Sequence, residues 1–275
     1  MLGTLAAFGR GLAMMGFMRL VVGFIGMALL AASSAAAQTS DIGIVVLHGT
    51  QGNPDSDTIR FFVSDLERAG YRTQVPVMCW SANRIFDKTY LDCLKEIDGA
   101  IAALRAAGAR RIAVAGHSRG GSAAIVYAIQ HPDLAGVISL APSANPEQYI
   151  RNPDIADSIA KAQQMVDDGN ADGRASFADF NNGRPFTVNT TAAIYLSFHQ
   201  PGGPADYPER LPQLHVPIIW IAGIHDPLQD QSAEFFQRIP ANPLNQYVKV
   251  DADHRGTPRA GTEAVLAWLA HLPAK

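Results

Sequence analysis

The chain has 275 residues, 48% of them hydrophobic, and a formal net charge of −3 at pH 7. This composition is sufficient for a large buried core, and the sequence contains no internal repeat or low-complexity segment that would indicate a second domain. The small net charge and the lack of a basic cluster argue against nucleic acid as a partner.

The N-terminal segment differs from the rest of the chain. Residues 1–37 contain two arginines, no acidic residue and an apolar run over 20–32, and they end in Ser-Ser-Ala-Ala-Ala. This order is typical of a secretory signal peptide cleaved after Ala37, and a start at Met18 would give a signal of conventional length. The apolar run is short for a membrane span, so an uncleaved anchor is the less favoured interpretation. We therefore expect a periplasmic or secreted bacterial protein, residues 38–275, without stable membrane association.

The two cysteines, Cys79 and Cys93, fit an exported protein. In an oxidising compartment they can close a loop of about 14 residues, which contributes about 3 kcal/mol in the chain-entropy estimate. The alternative is two unpaired cysteines buried as small hydrophobic side chains, and the signal sequence favours the disulfide. Because no histidine accompanies the two cysteines, they do not form a zinc site, and no metal is expected.

Strands and helices alternate in the first half of the chain. An apolar run at 42–47 predicts a buried strand, and a glycine-containing loop at 48–53 follows it. Further along we predict helices over 55–69, 90–107 and 122–130, and strands over 71–78, 112–115 and 136–141. This alternation predicts a mostly parallel sheet with helices on both faces.

The junction between the strand at 112–115 and the helix at 122–130 holds a candidate nucleophile. Residues 116–120 read Gly-His-Ser-Arg-Gly, so Ser118 stands in a tight turn between two glycines. A strand, such a turn and a helix form a nucleophile elbow, in which backbone strain lifts the serine hydroxyl above the sheet edge. The helix behind the serine supplies backbone N–H groups and the positive end of its dipole.

The alternation stops after the strand at 136–141. Residues 142–185 carry no strand signal, are rich in Asn, Asp, Gly and Ala, and contain one predicted helix at 154–166. We interpret this segment as a cap or lid over the carboxyl edge of the sheet, with a solvated connector as the alternative. The pattern at 189–196 fits either a short helix or a short strand.

Two later strands supply candidate partners for Ser118. Asp226 follows the strand predicted at 216–222, and His254 follows the strand predicted at 245–250. The order Ser, Asp, His along the chain is that of an α/β-hydrolase triad. His254 would accept the serine proton, and Asp226 would hold the imidazole in the correct tautomer. The remaining predicted helices are at 230–238 and 257–272.

Other residues compete for these roles. His225 adjoins Asp226 but follows the strand that normally carries the acid, and its side chain should point away from that acid. Asp251 and Asp253 are sequence neighbours of the base, which seldom reach its far ring nitrogen. For the remaining histidines we expect structural or surface roles: His48, His117, His131, His199, His215 and His271.

Acyl transfer also requires hydrogen-bond donors for the oxyanion. We assign one to the backbone N–H of Arg119, directly after the nucleophile. The second should come from the loop after the first strand, where Thr50 is favoured and Gln51 stays open as the alternative. Each such donor contributes on the order of 3 kcal/mol to lowering the barrier.

Taken together, these motifs resemble the α/β-hydrolase superfamily, specifically a small exported bacterial serine hydrolase. The resemblance covers about 42–272 and rests on residues 116–120, 48–49, 223–226 and 253–254. It implies the α/β-hydrolase fold, no cofactor, and hydrolysis of an ester, or less often a thioester or amide, through an acyl-serine. The first loop lacks the glycine triplet of hormone-sensitive-lipase-like esterases, so the substrates of that subfamily are not implied.

The favoured function is a carboxylesterase-like enzyme that acts on small-molecule esters. A peptidase or lipase activity on the same fold is one alternative, and a catalytically silent binding module is another. Because all three triad positions are filled, the sequence argues against the silent module. The polar cap argues weakly against a lipase.

Overall fold

The structure is a computed structural model that describes residues 40–273, so the predicted signal peptide at 1–37 lies outside the described residues. The strands are β1 (Ile42–Leu47), β2 (Arg72–Gln74), β3 (Arg111–His117), β4 (Gly136–Leu140), β5 (Arg174–Asn181), β6 (Arg184–Thr191), β7 (Ile218–Gly223) and β8 (Gln246–Val250). The helices are α1 (Asp57–Arg68), α2 (Tyr90–Leu94), α3 (Glu96–Ala106), α4 (Arg119–Gln130), α5 (Pro146–Tyr149), α6 (Pro153–Asp167), α7 (Ala192–His199), α8 (Ser232–Gln237), α9 (Thr257–Ala260) and α10 (Thr262–Ala270).

Six of the strands form one parallel sheet in the order β2-β1-β3-β4-β7-β8. Alternate residues of β1 face opposite cores: Val45 and Leu47 pack with the α3 and α4 side, and Ile44 and Val46 pack with the α1 and α10 side. Strands buried on both faces need apolar residues at every position, which explains the continuous hydrophobic runs in the sequence. The predicted α/β-hydrolase fold, a mostly parallel sheet covered by helices on both faces, is confirmed.

The segment between β4 and β7 differs from its prediction. Instead of lacking strands, it contains an antiparallel hairpin of β5 and β6, which packs with α6 and α7 around a small apolar cluster. Only alternate hairpin positions are buried, among them Phe177 and Val188, so its composition is too polar to give a conventional strand signal. The turn residues Asn182 and Gly183 both have positive φ (51° and 73°), and Asn-Gly between two runs is itself a strong hairpin signal. The ambiguous region at 189–196 contains the end of β6 and the start of α7.

Other elements are shorter than predicted. The strand expected over 71–78 reduces to β2, an edge strand, because Pro76 lacks the N–H that would extend the ladder. The helix expected over 90–107 divides into α2 and α3 at Lys95, and the closing helix divides into α9 and α10 at Gly261.

Cys79 and Cys93 form a disulfide, and both side chains are completely buried. Their Cα atoms lie 5.7 Å apart, and the bond connects the loop after β2 with α2. Over the range 40–273, no helix has the length and apolar character needed to cross a membrane.

Candidate active site

Ser118 occupies a strained turn between β3 and α4. Its φ of 57° and ψ of −124° lie outside the regions that side-chain-bearing residues normally adopt. A Cβ on Gly116 would lie 2.2 Å from the carbonyl oxygen of Gly120, and a Cβ on Gly120 would lie 2.4 Å from the carbonyl oxygen of Leu47. Both glycines are therefore required for the turn to pack against β1, which is the geometry of a nucleophile elbow.

Asp226 and His254 meet at the carboxyl edge of the sheet, one after β7 and the other after β8. The Nδ1 atom of His254 lies 2.6 Å from Oδ2 of Asp226, whose side chain is completely buried. The other carboxylate oxygen, Oδ1, accepts a hydrogen bond from the backbone N–H of Leu228 at 3.0 Å. This pairing fixes the imidazole tautomer with its proton on Nδ1, which leaves Nε2 able to act as a base.

The Ser118 hydroxyl lies in the same cleft as His254. Its Oγ is 2.8 Å from Oγ of Ser143, in the loop after β4, and within residues 40–273 it makes no hydrogen bond to His254. Catalytic hydrogen bonds are often formed only when substrate is bound, so rotation of the serine side chain would exchange one partner for the other. Sequence reasoning missed Ser143, because no motif marks the loop after β4.

His117 supports the loop that carries His254. Burial, with the nearby His254 as a secondary cause, lowers the pKa of His117 to about 3, so its ring is neutral at ordinary pH. Its Nε2 lies 2.8 Å from the carbonyl oxygen of His254 and donates to it. His117 therefore packs beside the turn and holds the backbone of its neighbour.

The loop after β1 is held by a set of hydrogen bonds around His48. The backbone N–H of Met78 donates to Nε2 of His48 at 3.1 Å, and the indole N–H of Trp80 donates to the His48 carbonyl at 2.8 Å. Burial lowers the pKa of His48, so the neutral ring can accept at Nε2 and donate from Nδ1 to the Gly49 carbonyl, 2.9 Å away. The loop geometry thus depends on the segment that contains Cys79.

The same loop distinguishes the two candidates for the second oxyanion donor. The backbone N–H of Gln51 donates to the Trp80 carbonyl at 2.8 Å, so it is already occupied. The N–H of Thr50 makes no backbone hydrogen bond within the described part of the chain. The backbone N–H of Thr50 is therefore the free donor of the two. The N–H of Arg119 is also free of helical hydrogen bonds, because Arg119 is the first residue of α4 and no earlier carbonyl of the helix can accept from it.

The Arg119 side chain is buried between the β5–β6 hairpin and the loop after β1, and it bonds to both. Its Nε donates to Oγ1 of Thr50 at 2.9 Å, and its Nη2 lies 3.5 Å from Oδ2 of Asp179 in β5. His199 in α7 contacts the same carboxylate oxygen at 3.2 Å. Burial by itself would raise the pKa of Asp179, but His199 and Arg119 hold it below its usual value. Sequence reasoning assigned His199 only a packing or surface role and did not identify Asp179.

The β5–β6 hairpin also contacts the loop after β1 directly. The side-chain amide of Asn181, the last residue of β5, donates to the Thr50 carbonyl at 3.0 Å and to Oε1 of Gln51 at 3.1 Å. These contacts place the hairpin at one wall of a cleft of about 580 Å³ that contains Ser118 and His254.

The competing residues lie elsewhere. Nε2 of His225 lies 2.8 Å from Oδ1 of Asp251, and both side chains are well exposed. His225 is therefore paired with a carboxylate other than Asp226. Asp253 accepts the N–H of Gly256 at 2.7 Å. In the part of the chain that the structure describes, no three His, Cys, Asp or Glu side chains are grouped as metal ligands.

Comparison with known proteins identifies the family. The profile of the Alpha/beta hydrolase family matches residues 44–267, so this chain belongs to that family. No curated protein matches the chain significantly.

Solved structures share the fold at low sequence identity. One, from work on the metagenome-derived lipolytic enzymes LipS and LipT, is 22% identical with a TM-score of 0.60 and covers 85% of this chain and 94% of its own. Est1E from Butyrivibrio proteoclasticus with bound ferulic acid is 18% identical with a TM-score of 0.62 and covers 85% and 90%. A monoacylglycerol lipase from Paleococcus ferrophilus is 16% identical with a TM-score of 0.61 and covers 84% and 94%. These likenesses establish the common fold.

Proposed function

We propose that this protein is a serine hydrolase that cleaves a carboxylic ester, or a thioester, through an acyl-serine intermediate. The observation that carries the proposal is the 2.6 Å bond between His254 and the buried carboxylate of Asp226, in the cleft where the strained elbow presents Ser118. A base oriented in this way is what a serine hydroxyl, a poor nucleophile at neutral pH, requires.

In the proposed reaction, Oγ of Ser118 attacks the carbonyl carbon while Nε2 of His254 takes the hydroxyl proton. Asp226 remains ionised and stabilises the imidazolium. The carbonyl oxygen becomes an oxyanion that accepts hydrogen bonds from the N–H groups of Thr50 and Arg119. His254 then gives the proton to the departing alcohol or thiol, and an acyl-serine remains. Water, deprotonated by His254, attacks the acyl carbon, and the carboxylic acid leaves as His254 returns the proton to Ser118.

The nature of the cleft favours this reaction class. Similar structures include lipolytic enzymes and a monoacylglycerol lipase, which suggests ester substrates, and Est1E with bound ferulic acid. The lining of the cleft is polar, with Ile59 its one aliphatic side chain larger than alanine within the described residues. Such a lining favours small water-soluble esters over long-chain lipids.

We also propose that residues 1–37 are a cleaved signal peptide, that 38–275 is the mature hydrolase, and that the insertion between β4 and β7 is a cap. The buried Cys79–Cys93 disulfide supports export to an oxidising compartment. The cap role is supported by the two hydrogen bonds from Asn181 of the hairpin to the loop after β1, which carries the proposed oxyanion donor Thr50 and is here called the oxyanion loop. Intact mass measurement of protein from the periplasm of an expressing bacterium should show loss of residues 1–37. A full-length mass in the membrane fraction would support the anchor instead.

A fluorophosphonate probe, read by mass spectrometry, tests the catalytic assignment. We expect a single adduct on Ser118 in the wild type, none on Ser118 in Ser118→Ala, and labelling slowed by about 10³-fold or more in His254→Ala. His225→Ala is the matched control, because His225 is an exposed histidine paired with a different carboxylate, and it should label normally. No adduct on folded wild-type protein would refute the proposal and favour a silent binding module. A labelled enzyme that cleaves peptides but not esters would instead be a peptidase.

A further inference from the structure

In the lining of the catalytic cleft, positively charged side chains outnumber negatively charged ones. Its lining contains one carboxylate, Asp57, and two guanidinium groups, Arg184 and Arg255. Asp57 is already paired with Arg60, which lies 2.7 Å away. Within residues 40–273, the guanidinium group of neither lining arginine makes an ion pair or a hydrogen bond to a side chain or to the backbone. The cleft is therefore lined by two exposed cations that have no bonding partner among the described residues.

The two arginines are set beside the reacting groups by different parts of the fold. Arg184 begins β6 directly after the hairpin turn and is paired in register with Asn181. Because the Asn181 amide is bonded to Thr50 and Gln51, the start of β6 is held next to the oxyanion loop. Arg255 comes directly after the proposed base, in a loop whose backbone is held by His117.

The rest of the lining suits a charged ligand better than an apolar one. Hydroxyl and amide side chains dominate it, and they are contributed by Thr50, Gln51, Ser56, Thr58, Asn181 and Asn182. Guanidinium groups match the geometry of carboxylate and phosphate oxygens, and charge-assisted hydrogen bonds to such anions are stronger than neutral ones. A long acyl chain would cover these polar groups without replacing their hydrogen bonds to water.

We propose that the cleft has a subsite for an anionic oxygen group, formed by Arg184 and Arg255, and that the substrate is a small ester that carries a carboxylate or phosphate. This inference rests on the proposed ester hydrolysis and names its substrate class. The anion binds the two arginines without covalent change, while the ester carbonyl is attacked by Ser118.

Two matched pairs of substrates test the subsite. Monomethyl glutarate and methyl valerate differ by a carboxylate in place of a methyl group on the acyl side. The second pair, 4-acetoxybenzoate and 4-acetoxybenzamide, differs by a charged group on the leaving-group side. In low salt we expect kcat/KM to favour the carboxylate member of at least one pair by about fivefold or more. Because exposed charges are screened, 0.5 M NaCl should reduce this preference to about twofold or less.

Substitution of the arginines links the preference to the subsite. In Arg184→Gln and Arg255→Gln we expect the ratio of charged to neutral kcat/KM to fall by about threefold each, with the neutral ester as the internal reference in each variant. Arg110→Gln is the matched control, since Arg110 is an exposed arginine at the opposite end of the sheet, 3.6 Å from Asp41. That variant should keep the wild-type ratio.

Failure of this inference and failure of the proposed function give different results. Turnover of neutral esters with no preference for the charged member, or a preference that neither arginine variant changes, would overturn the subsite and leave the hydrolase standing. If no ester is cleaved and Ser118 is not labelled, calorimetric binding to Ser118→Ala decides the matter. If Ser118→Ala binds 4-acetoxybenzoate more tightly than 4-acetoxybenzamide, the subsite is still supported. This preference should then be lost when either Arg184→Gln or Arg255→Gln is added to Ser118→Ala. Equal affinities would overturn it.

Discussion

Replacement of Asp179 by asparagine should be among the most destabilising single-atom changes in the β5–β6 hairpin. Asp179 is 0% exposed and Arg119 is 1% exposed, so the carboxylate compensates a guanidinium that has no access to water. In Asp179→Asn the shape is kept and the amide oxygen can still accept the N–H of Phe180, which bonds to Oδ1 at 2.7 Å. The variant therefore removes the negative charge while it preserves the local packing.

The magnitude follows from the burial of the pair. Removal of one partner from a buried ion pair costs about 3 to 5 kcal/mol, because the remaining charge is left uncompensated. The 3.5 Å separation between Nη2 of Arg119 and Oδ2 of Asp179 is long for a charged hydrogen bond, which points to the lower end of this range. A loss of about 3 kcal/mol lowers the Tm of a domain of this size by roughly 6 to 12 °C. Activity should fall mainly in kcat, since Arg119 also holds Thr50, the proposed oxyanion donor.

The pH dependence gives an independent test of the same charge. Although burial opposes ionisation, the contacts with His199 and Arg119 hold the pKa of Asp179 below its ordinary value of 3.8. The carboxylate therefore contributes its full stability above the unfolded-state pKa, and this contribution is lost as the pH falls through the lower pKa of the folded state. The difference in free energy of unfolding between wild type and variant should therefore shrink as the pH falls below about 4.

Urea denaturation at pH 7 and at acidic pH measures these quantities. Asp172→Asn is the matched control, because it makes the same chemical change at an exposed position in the turn before β5 and should be within about 0.5 kcal/mol of wild type. If Asp179→Asn is as stable as that control at pH 7, the buried charge compensation inferred here is wrong.

Three further changes test other parts of the site. Gly120→Ala should destabilise by about 3 kcal/mol, the upper end of the usual cost of overpacking, and so lower the Tm by roughly 6 to 12 °C, because the added Cβ would lie 2.4 Å from the Leu47 carbonyl oxygen. Gly99→Ala is the control, because Gly99 lies in a helix interior and an added Cβ there would have no atom within 4 Å. This variant should stabilise the protein by about 0.5 to 1 kcal/mol. A wild-type Tm for Gly120→Ala would contradict the packing of the elbow. Cys79→Ser should reduce stability by about 3 kcal/mol in the absence of reductant, and equal melting temperatures would show that the bond does not form in solution. His117 keeps a pKa of about 3 in the folded state, so wild-type stability should fall as the pH drops below about 6.5, where the unfolded chain takes up the proton. His117→Gln should show a shallower fall in urea denaturation between pH 7 and 5, and an unchanged slope would refute the neutral buried ring.

The parts of the fold predicted correctly are those whose signal is local. A strand buried on both faces must be apolar along its length, and the elbow requires small residues at 116 and 120. In a parallel sheet the carboxyl ends of all strands lie at one edge, so residues shortly after β7 and β8 come together there. The 2.6 Å approach of His254 to Asp226 has this origin.

The hairpin was missed because its stability comes from packing rather than from its own composition. Its buried face is formed by alternate residues such as Phe177 and Val188, which need α6 and α7 to cover them. Contact with a partner element, rather than β propensity, makes the segment a strand. The Asn-Gly turn at 182–183 was the one local signal available.

The sequence by itself determined the family, the alternation of the main strands and helices, and the candidate nucleophile, base and acid, because each candidate lies in a short motif that directly follows an apolar strand. Only the tertiary structure decided which loop N–H is free, since the N–H of Gln51 is occupied by a carbonyl 29 residues further along the chain. It also decided that Arg119 is buried against Asp179, which lies 60 residues away. A charge can be removed from water only where the fold supplies its partner, and no local pattern specifies that encounter.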